Sequence, residues 1–366
     1  MPMSAVKRTA ARGVFLIGTL PAGSRPCYHV GAVDNSSSQT LLGRTLATCY
    51  CTCNLLPPRV YSSAGHLARR LAAPAAPGPV AGPLPFATPA RILVHPMTCP
   101  YVVTQTAAAD HALARSIDDC LVVPAGCDAM RRLGDALAAR YPDRVFALFV
   151  PRTDDSAAVR SLSHDLARLE EWLAAKAPPV KADEQSSTDA EATFTYPTPP
   201  SPGGAFIVAG PLSDDGLLRY IAGLGLPISG VESCSGPERR AALECDAPEA
   251  DYEAQARQIL ERVSCPRSSA TARREYLAHR LEETGAAAVI YARLPFCDPS
   301  AYDTFSVADL ASGRGLPYLE VEVGYPFEVT GPLRVRIEAF LESLLLGAEL
   351  SELDELDDLD DLEVTT

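Results

Sequence analysis

Residues 91–130 read RILVHPMTCPYVVTQTAAADHALARSIDDCLVVPAGCDAM. Two apolar, strand-like runs in this stretch, at 92–94 and 121–123, each stop at a turn containing proline and deliver a cysteine, Cys99 and Cys127, just before a helical pattern. The same arrangement returns much later, where the apolar run 287–292 ends in LPFCDP at 294–299 and Cys297 again precedes a helix. In an open α/β sheet, ligands sit beyond the carboxyl ends of the strands, where loops turn into helices, so three cysteines at three strand ends can converge. A thiol beside a helix N-terminus also feels the positive end of the helix dipole, which lowers its pKa toward the thiolate that binds iron or zinc. Cys99, Cys127 and Cys297 are therefore candidate metal ligands.

Outward from this stretch, residues 91–176 read as strand and helix three times over, an alternation that predicts a parallel, helix-covered sheet. Asp128 is a candidate cap for a helix over 129–140. After Pro151, Val159, Leu162, Leu166, Leu169 and Leu173 recur at helical spacing and predict an amphipathic helix packed on the sheet. Residues 177–204 combine prolines, serines and charges without periodicity and read as a flexible linker. A second α/β unit follows, with a strand at 205–210, a helix at 214–224, a strand at 318–323 and a closing helix at 333–346. The expected architecture is α/β: two Rossmann-like domains with parallel sheets covered by helices, plus an acidic C-terminal tail. Its boundaries are 1–176 for the N-terminal segment and first domain, 177–204 for the linker, 205–346 for the second domain and 347–366 for the tail.

A chain of 366 residues with 47% hydrophobic content can bury a substantial core. Of the net charge of −14, nine negative charges lie between Glu349 and Glu363, leaving −5 on the rest. Neither part offers the basic surface that nucleic-acid binding requires. No run of about 18 apolar residues is present, so no membrane span is expected. The apolar stretch 13–18, after Lys7, Arg8 and Arg12, is short for a signal peptide and reads as a strand; the expected location is cytoplasmic. Eleven cysteines, an odd number, do not read as a secreted disulfide framework. Cys49, Cys51 and Cys53 alternate, which in a strand puts all three on one face, either as packed core or as a second metal site.

Several segments resemble the 2-hydroxyacyl-CoA dehydratase and benzoyl-CoA reductase family: CDAM at 127–130, the strand RVFALFVPRT, the helix SAAVRSLSHDLARLEEWL, then CPR, REYLAHRLEETGAAAVIYARLPFCDP and PYLEVEVGYPFEVTGPLRVRIEAFLESLL. The similarity spans roughly residues 45–175 and 204–346 in the family's order. It implies that Cys99, Cys127 and Cys297 hold a 4Fe-4S cluster or, as in some relatives, part of a double-cubane cluster. It also implies a CoA thioester substrate, a separate ATP-hydrolysing iron-sulfur activator as electron donor, and a homologous subunit or a second copy as partner. Three thiolates leave one iron without a protein ligand, open to a substrate oxygen, whereas four normally only pass electrons. The absence of a G-x-x-x-x-G-K-[ST] loop agrees with a separate activator.

Within CTCNLLPPRVYSSAG at 51–65, Pro58 and Arg59 stand where the family usually places acidic residues, and the segment at 177–204 is short. An active enzyme and a relay subunit both remain open, as do a double-cubane reductase working as a homodimer and a metal-free module that kept the fold. Cys234, in VESCSG at 231–236, resembles a family loop near the cluster and is a possible additional ligand. His95, four residues before Cys99, is a possible assisting residue. Cys245 and Cys265 read as structural. The six histidines form no H-E-x-x-H pattern, and neither a G-x-S-x-G elbow nor a strand-borne G-x-G-x-x-G is present. Leucines at every third position from 350 to 362 slip around a helix, so the tail reads as solvated or as folding onto a partner.

Overall fold

The computed structural model of the chain describes residues 101–176, 200–234, 251–263 and 265–363, together with parts of the stretch 40–100. The first sheet holds β3 (Thr48–Cys51), β4 (Leu67–Arg70), β5 (Cys120–Ala125) and β6 (Val145–Phe149), after a short antiparallel pair, β1 (Thr40–Leu41) and β2 (Arg44–Thr45). Its order is β4-β3-β5-β6, parallel throughout. The second sheet holds β7 (Ala205–Ala209), β8 (Ile228–Ser233), β9 (Ala288–Arg293) and β10 (Tyr318–Glu322), in the order β10-β9-β7-β8 and again parallel. The α/β architecture with two helix-covered parallel sheets is thus the one the sequence predicts.

Every residue of β5 (CLVVPA), β7 (AFIVA) and β8 is buried, as strands covered on both faces must be. The edge strand β6 alternates buried and exposed positions, with Phe149 half out in solvent. Helix α1 (Arg59–Ser62) is a single turn; α2 (Pro100–Arg115), α3 (Asp128–Arg140) and α4 (Ser156–Ala174) serve the first sheet. Asp155 caps α4 by accepting from the N–H groups of Ala157 and Ala158, both at 2.9 Å. The predicted stripe Val159, Leu162, Leu166, Leu169 and Leu173 is buried along its whole length.

The remaining helices are α5 (Gly216–Gly223), α6 (Tyr252–Leu260), α7 (Ala270–Glu283), α8 (Asp298–Ser312) and α9 (Gly331–Glu363). Ala256, Ile259 and Leu260 of α6 enter the apolar cluster of α4, so the cover of the first sheet is completed by a segment that follows β8. A second cluster runs through both sheets, joining Leu121 and Val123 to Ile207 and Ile290. Helix α2 lies in this cluster: Tyr101 meets Tyr325 edge to face at 5.2 Å, and Thr104 Oγ1 donates to the Tyr325 carbonyl at 3.5 Å. The helix that begins after Cys99 is therefore gripped from the side of the second sheet.

Two local expectations change. Cys127, not Asp128, is the N-cap residue of α3, and Asp128 occupies the first turn, where its charge still complements the helix dipole. Helix α9 does not stop at 346 but continues to Glu363. The threefold leucine spacing bears on the apolar face of this helix, not on its length. The strands expected at 13–18 and 92–94, and the linker core at 177–199, lie outside the described residues.

Candidate metal centre

Each of the three predicted thiols caps a helix: Cys99 precedes α2, Cys127 precedes α3 and Cys297 precedes α8. Cys127 follows the carboxyl end of β5 and Cys297 that of β9, both central parallel strands. Between β9 and Cys297, Phe296 adopts φ 55°, a left-handed conformation that an aromatic residue rarely takes. That turn leaves Phe296 half exposed and the cysteine at the helix start.

Cys99 and Cys297 are in direct contact and share a proton unequally. The hydrogen bond from Cys99 lowers the Cys297 pKa to about 7 against the opposing effect of burial, and Ser300, whose Oγ lies 3.2 Å from the sulfur, lowers it further. The same contact, followed by burial, holds Cys99 strongly protonated, although the N–H groups of Tyr101 and Val102 favour its thiolate. The Cys127 pKa is pushed up to about 11, first by burial and then by charge on Cys297, Cys265 and Cys53, with the Met130 N–H acting the other way. All three sulfurs thus lie at helix N-termini, but burial and neighbouring sulfurs raise the pKa values of Cys99 and Cys127.

The pocket contains more sulfur than the sequence assigned to it. Charge on Cys53 and Cys265 bears on Cys127, and charge on Cys265 also bears on Cys297. Burial and the Cys99–Cys297 contact dominate these thiols, with smaller effects of charge on Cys53 and Cys265. Cys234 sits half-buried in the turn that ends β8, and His95 is exposed, its carbonyl accepting from the Thr98 N–H at 3.0 Å. Cys265 had no strand end to flag it; its only sequence signal is its place in CPR, ahead of α7.

Cys49 and Cys51 lie on one face of β3, as their alternation predicts, and are buried in the cluster under α4. Cys49 is in register with Cys120 on β5. Hydrogen bonding from Cys49 first, against burial, and then from His66 lowers the Cys120 pKa to about 6. Burial opposes charge on His66, whose Nε2 lies 2.9 Å from the Leu173 carbonyl, but Cys120 and that carbonyl raise its pKa overall. This group packs within the first sheet's core.

The nine described cysteines form no disulfide. Among the described residues, no trio of His, Cys, Asp or Glu is closed to the spacing of a single bound ion. An iron-sulfur cluster is larger than one ion and spreads its thiolates further apart, so the donor set of buried sulfurs at helix N-termini suits a cluster, provided that Cys99 and Cys297 separate to admit it. The electrostatics give a direct check. In metal-free protein, Cys99→Ala removes the largest influence lowering Cys297, so the midpoint of Cys297 alkylation by iodoacetamide rises above about 7. An unchanged pH–rate profile would show that the Cys99 contact does not control it.

The fold is a two-sheet parallel α/β architecture in which Cys99 and Cys297, at the N-caps of α2 and α8, are in contact. Residues 205–344, the whole second sheet with its helices, match the family model described as 2-hydroxyglutaryl-CoA dehydratase, D-component. This match over residues 205–344 agrees with the sequence resemblance to the 2-hydroxyacyl-CoA dehydratase family. The matched segment contains Cys234, Cys265 and Cys297; Cys99 and Cys127 lie before it. No curated protein matches the chain. No helix among the described residues is long and apolar enough to cross a membrane.

Proposed function

We propose that the chain is the iron-sulfur subunit of a 2-hydroxyacyl-CoA dehydratase-like system. It takes one electron from an ATP-dependent activator and uses it on, or relays it to, a CoA thioester. The observation that supports this reading is the contact between Cys99 and Cys297, each at the N-cap of a helix, with Cys127, at a third N-cap, near enough to feel charge on Cys297. Cys99 and Cys127 come from the first unit, 1–176, and Cys297 from the second, 205–346, with 177–204 as the linker between them and 347–366 as an acidic extension. When bound, a 4Fe-4S cluster supplies one-electron chemistry. The chain's own residues do the rest. The thiolates would hold the irons and the helix N–H groups would balance the negative charge, while Ser300 contacts the Cys297 sulfur at 3.2 Å. The reading includes a cytoplasmic setting and a partner that is either a homologous subunit or a second copy.

The test uses protein prepared without oxygen, mixed with a reduced activator of this family and ATP. The expected result is bleaching of the cluster's visible absorption that depends on ATP, followed by turnover of a 2-hydroxyacyl-CoA if the subunit is itself catalytic. An intact cluster that stays oxidised under these conditions would contradict the role of electron acceptor.

A further inference from the structure

The molecule holds a second pair of thiols that the proposed function does not use. Cys49 on β3 and Cys120 on β5 are register partners on neighbouring parallel strands, and both enter the apolar cluster under α4. Cys99, Cys127 and Cys297 belong to the other cluster, the one that runs through both sheets. The register of the pair is pinned on either side. The Thr48 N–H donates to the Asp119 carboxylate at 3.1 Å, and the Thr52 N–H donates to the Val122 carbonyl at 3.4 Å. Neighbouring strands run about 4.8 Å apart, which lies inside the span of about 4.4–6.8 Å between the Cα atoms of a disulfide. The two sulfurs already share a hydrogen bond, in which Cys49 keeps the proton and Cys120 is drawn toward the thiolate. His66, just before β4, completes the group: its imidazole meets Cys120, and its Nε2 lies 2.9 Å from the Leu173 carbonyl. None of the three residues is more than 3% exposed.

We propose that Cys49 and Cys120 are a redox-active dithiol, which a small hydroperoxide closes to a disulfide across β3 and β5, independently of the iron-sulfur reading. In the first step the Cys120 thiolate attacks one peroxide oxygen and the O–O bond breaks. The sulfur becomes a sulfenic acid, and the second oxygen leaves as water with the proton that Cys120 gave up on ionising. In the next step the Cys49 sulfur attacks the Cys120 sulfur; the S–S bond forms, and the sulfenic hydroxyl leaves as water with the Cys49 proton. The two thiols lose two electrons and the peroxide gains them. Entry of the oxidant needs opening at the sheet's edge, where β4, the neighbour of β3, is only half-buried along its length.

Full-length parent protein, Cys49→Ser, Cys51→Ser and Cys120→Ser are treated with hydrogen peroxide, denatured in iodoacetamide and digested, and crosslinked peptides are assigned by fragmentation in the mass spectrometer. The parent is expected to give a Cys49–Cys120 link, lighter by two hydrogens than the separate peptides and reversed by dithiothreitol. Cys51→Ser should keep that link and Cys120→Ser should lose it. Cys49→Ser should leave a sulfenic acid on Cys120 that dimedone traps. If a variant does not fold, the peptide map of the parent decides by itself. Recovery of Cys49 and Cys120 both in alkylated form overturns the proposal, whatever the other cysteines do. A link from Cys120 to Cys51, or one between Cys53 and Cys127 without Cys49–Cys120, overturns it too.

Discussion

Arg273→Leu is expected to destabilise the protein by about 3–5 kcal/mol, the cost of removing one partner from a buried ion pair. Arg273 and Asp303 have side chains only 2% and 5% exposed, with Nε and Oδ1 2.7 Å apart. Tyr291 donates to the other Asp303 oxygen at 2.9 Å. A second buried carboxylate, Glu232 on β8, is close enough for its charge to act on Arg273, and it accepts from Tyr276 at 2.7 Å. With Arg273 gone, Asp303 is left buried without its ion-pair partner. The urea midpoint of Arg273→Leu should fall steeply, and adding Asp303→Leu should recover much of the loss, because two apolar groups leave no unpaired charge. A shift worth less than about 1 kcal/mol, typical of exposed pairs, would show that this network does not hold the domain together.

Gly126→Ala is the second large effect, and it acts on the centre directly. An added Cβ would stand 2.7 Å from Arg267 Cδ, and Arg267 cannot swing aside cheaply because its guanidinium is bound to the Pro151 carbonyl at 2.6 Å. Overpacking of this kind costs about 1–3 kcal/mol. The strain falls on the two segments that carry Cys127 and Cys265, so cluster content should drop together with stability. An equal stability loss with full iron content would separate the Arg267 seat from the centre.

The periodic parts of this fold were legible in the sequence. The runs that became β5, β7 and β9 are continuous because both of their faces are covered, and the leucine stripe of α4 has a 3.6-residue period that only a helix reads as one face. The placement of Cys127 and Cys297 at helix starts was legible for a related reason: a strand end followed by a helix start is a local pattern. Cys265 was not legible, because its position depends on Arg267 reaching Pro151 and on Arg273 reaching Asp303, contacts across 116 and 30 residues of chain. The Cys99–Cys297 contact spans the two sheets and has no local signature either. Helix α9 was cut short at 346 by reading a change of surface character as an end of structure.

The measurement that bears most directly on the central claim is iron and acid-labile sulfide per chain in protein purified without oxygen. The parent is compared with a Cys99→Ala, Cys127→Ala, Cys297→Ala triple variant. About four irons and a matching amount of sulfide in the parent, with none in a folded triple variant, is the predicted result. A parent that binds no iron even after anaerobic reconstitution would contradict it and would leave a metal-free binding or assembly module.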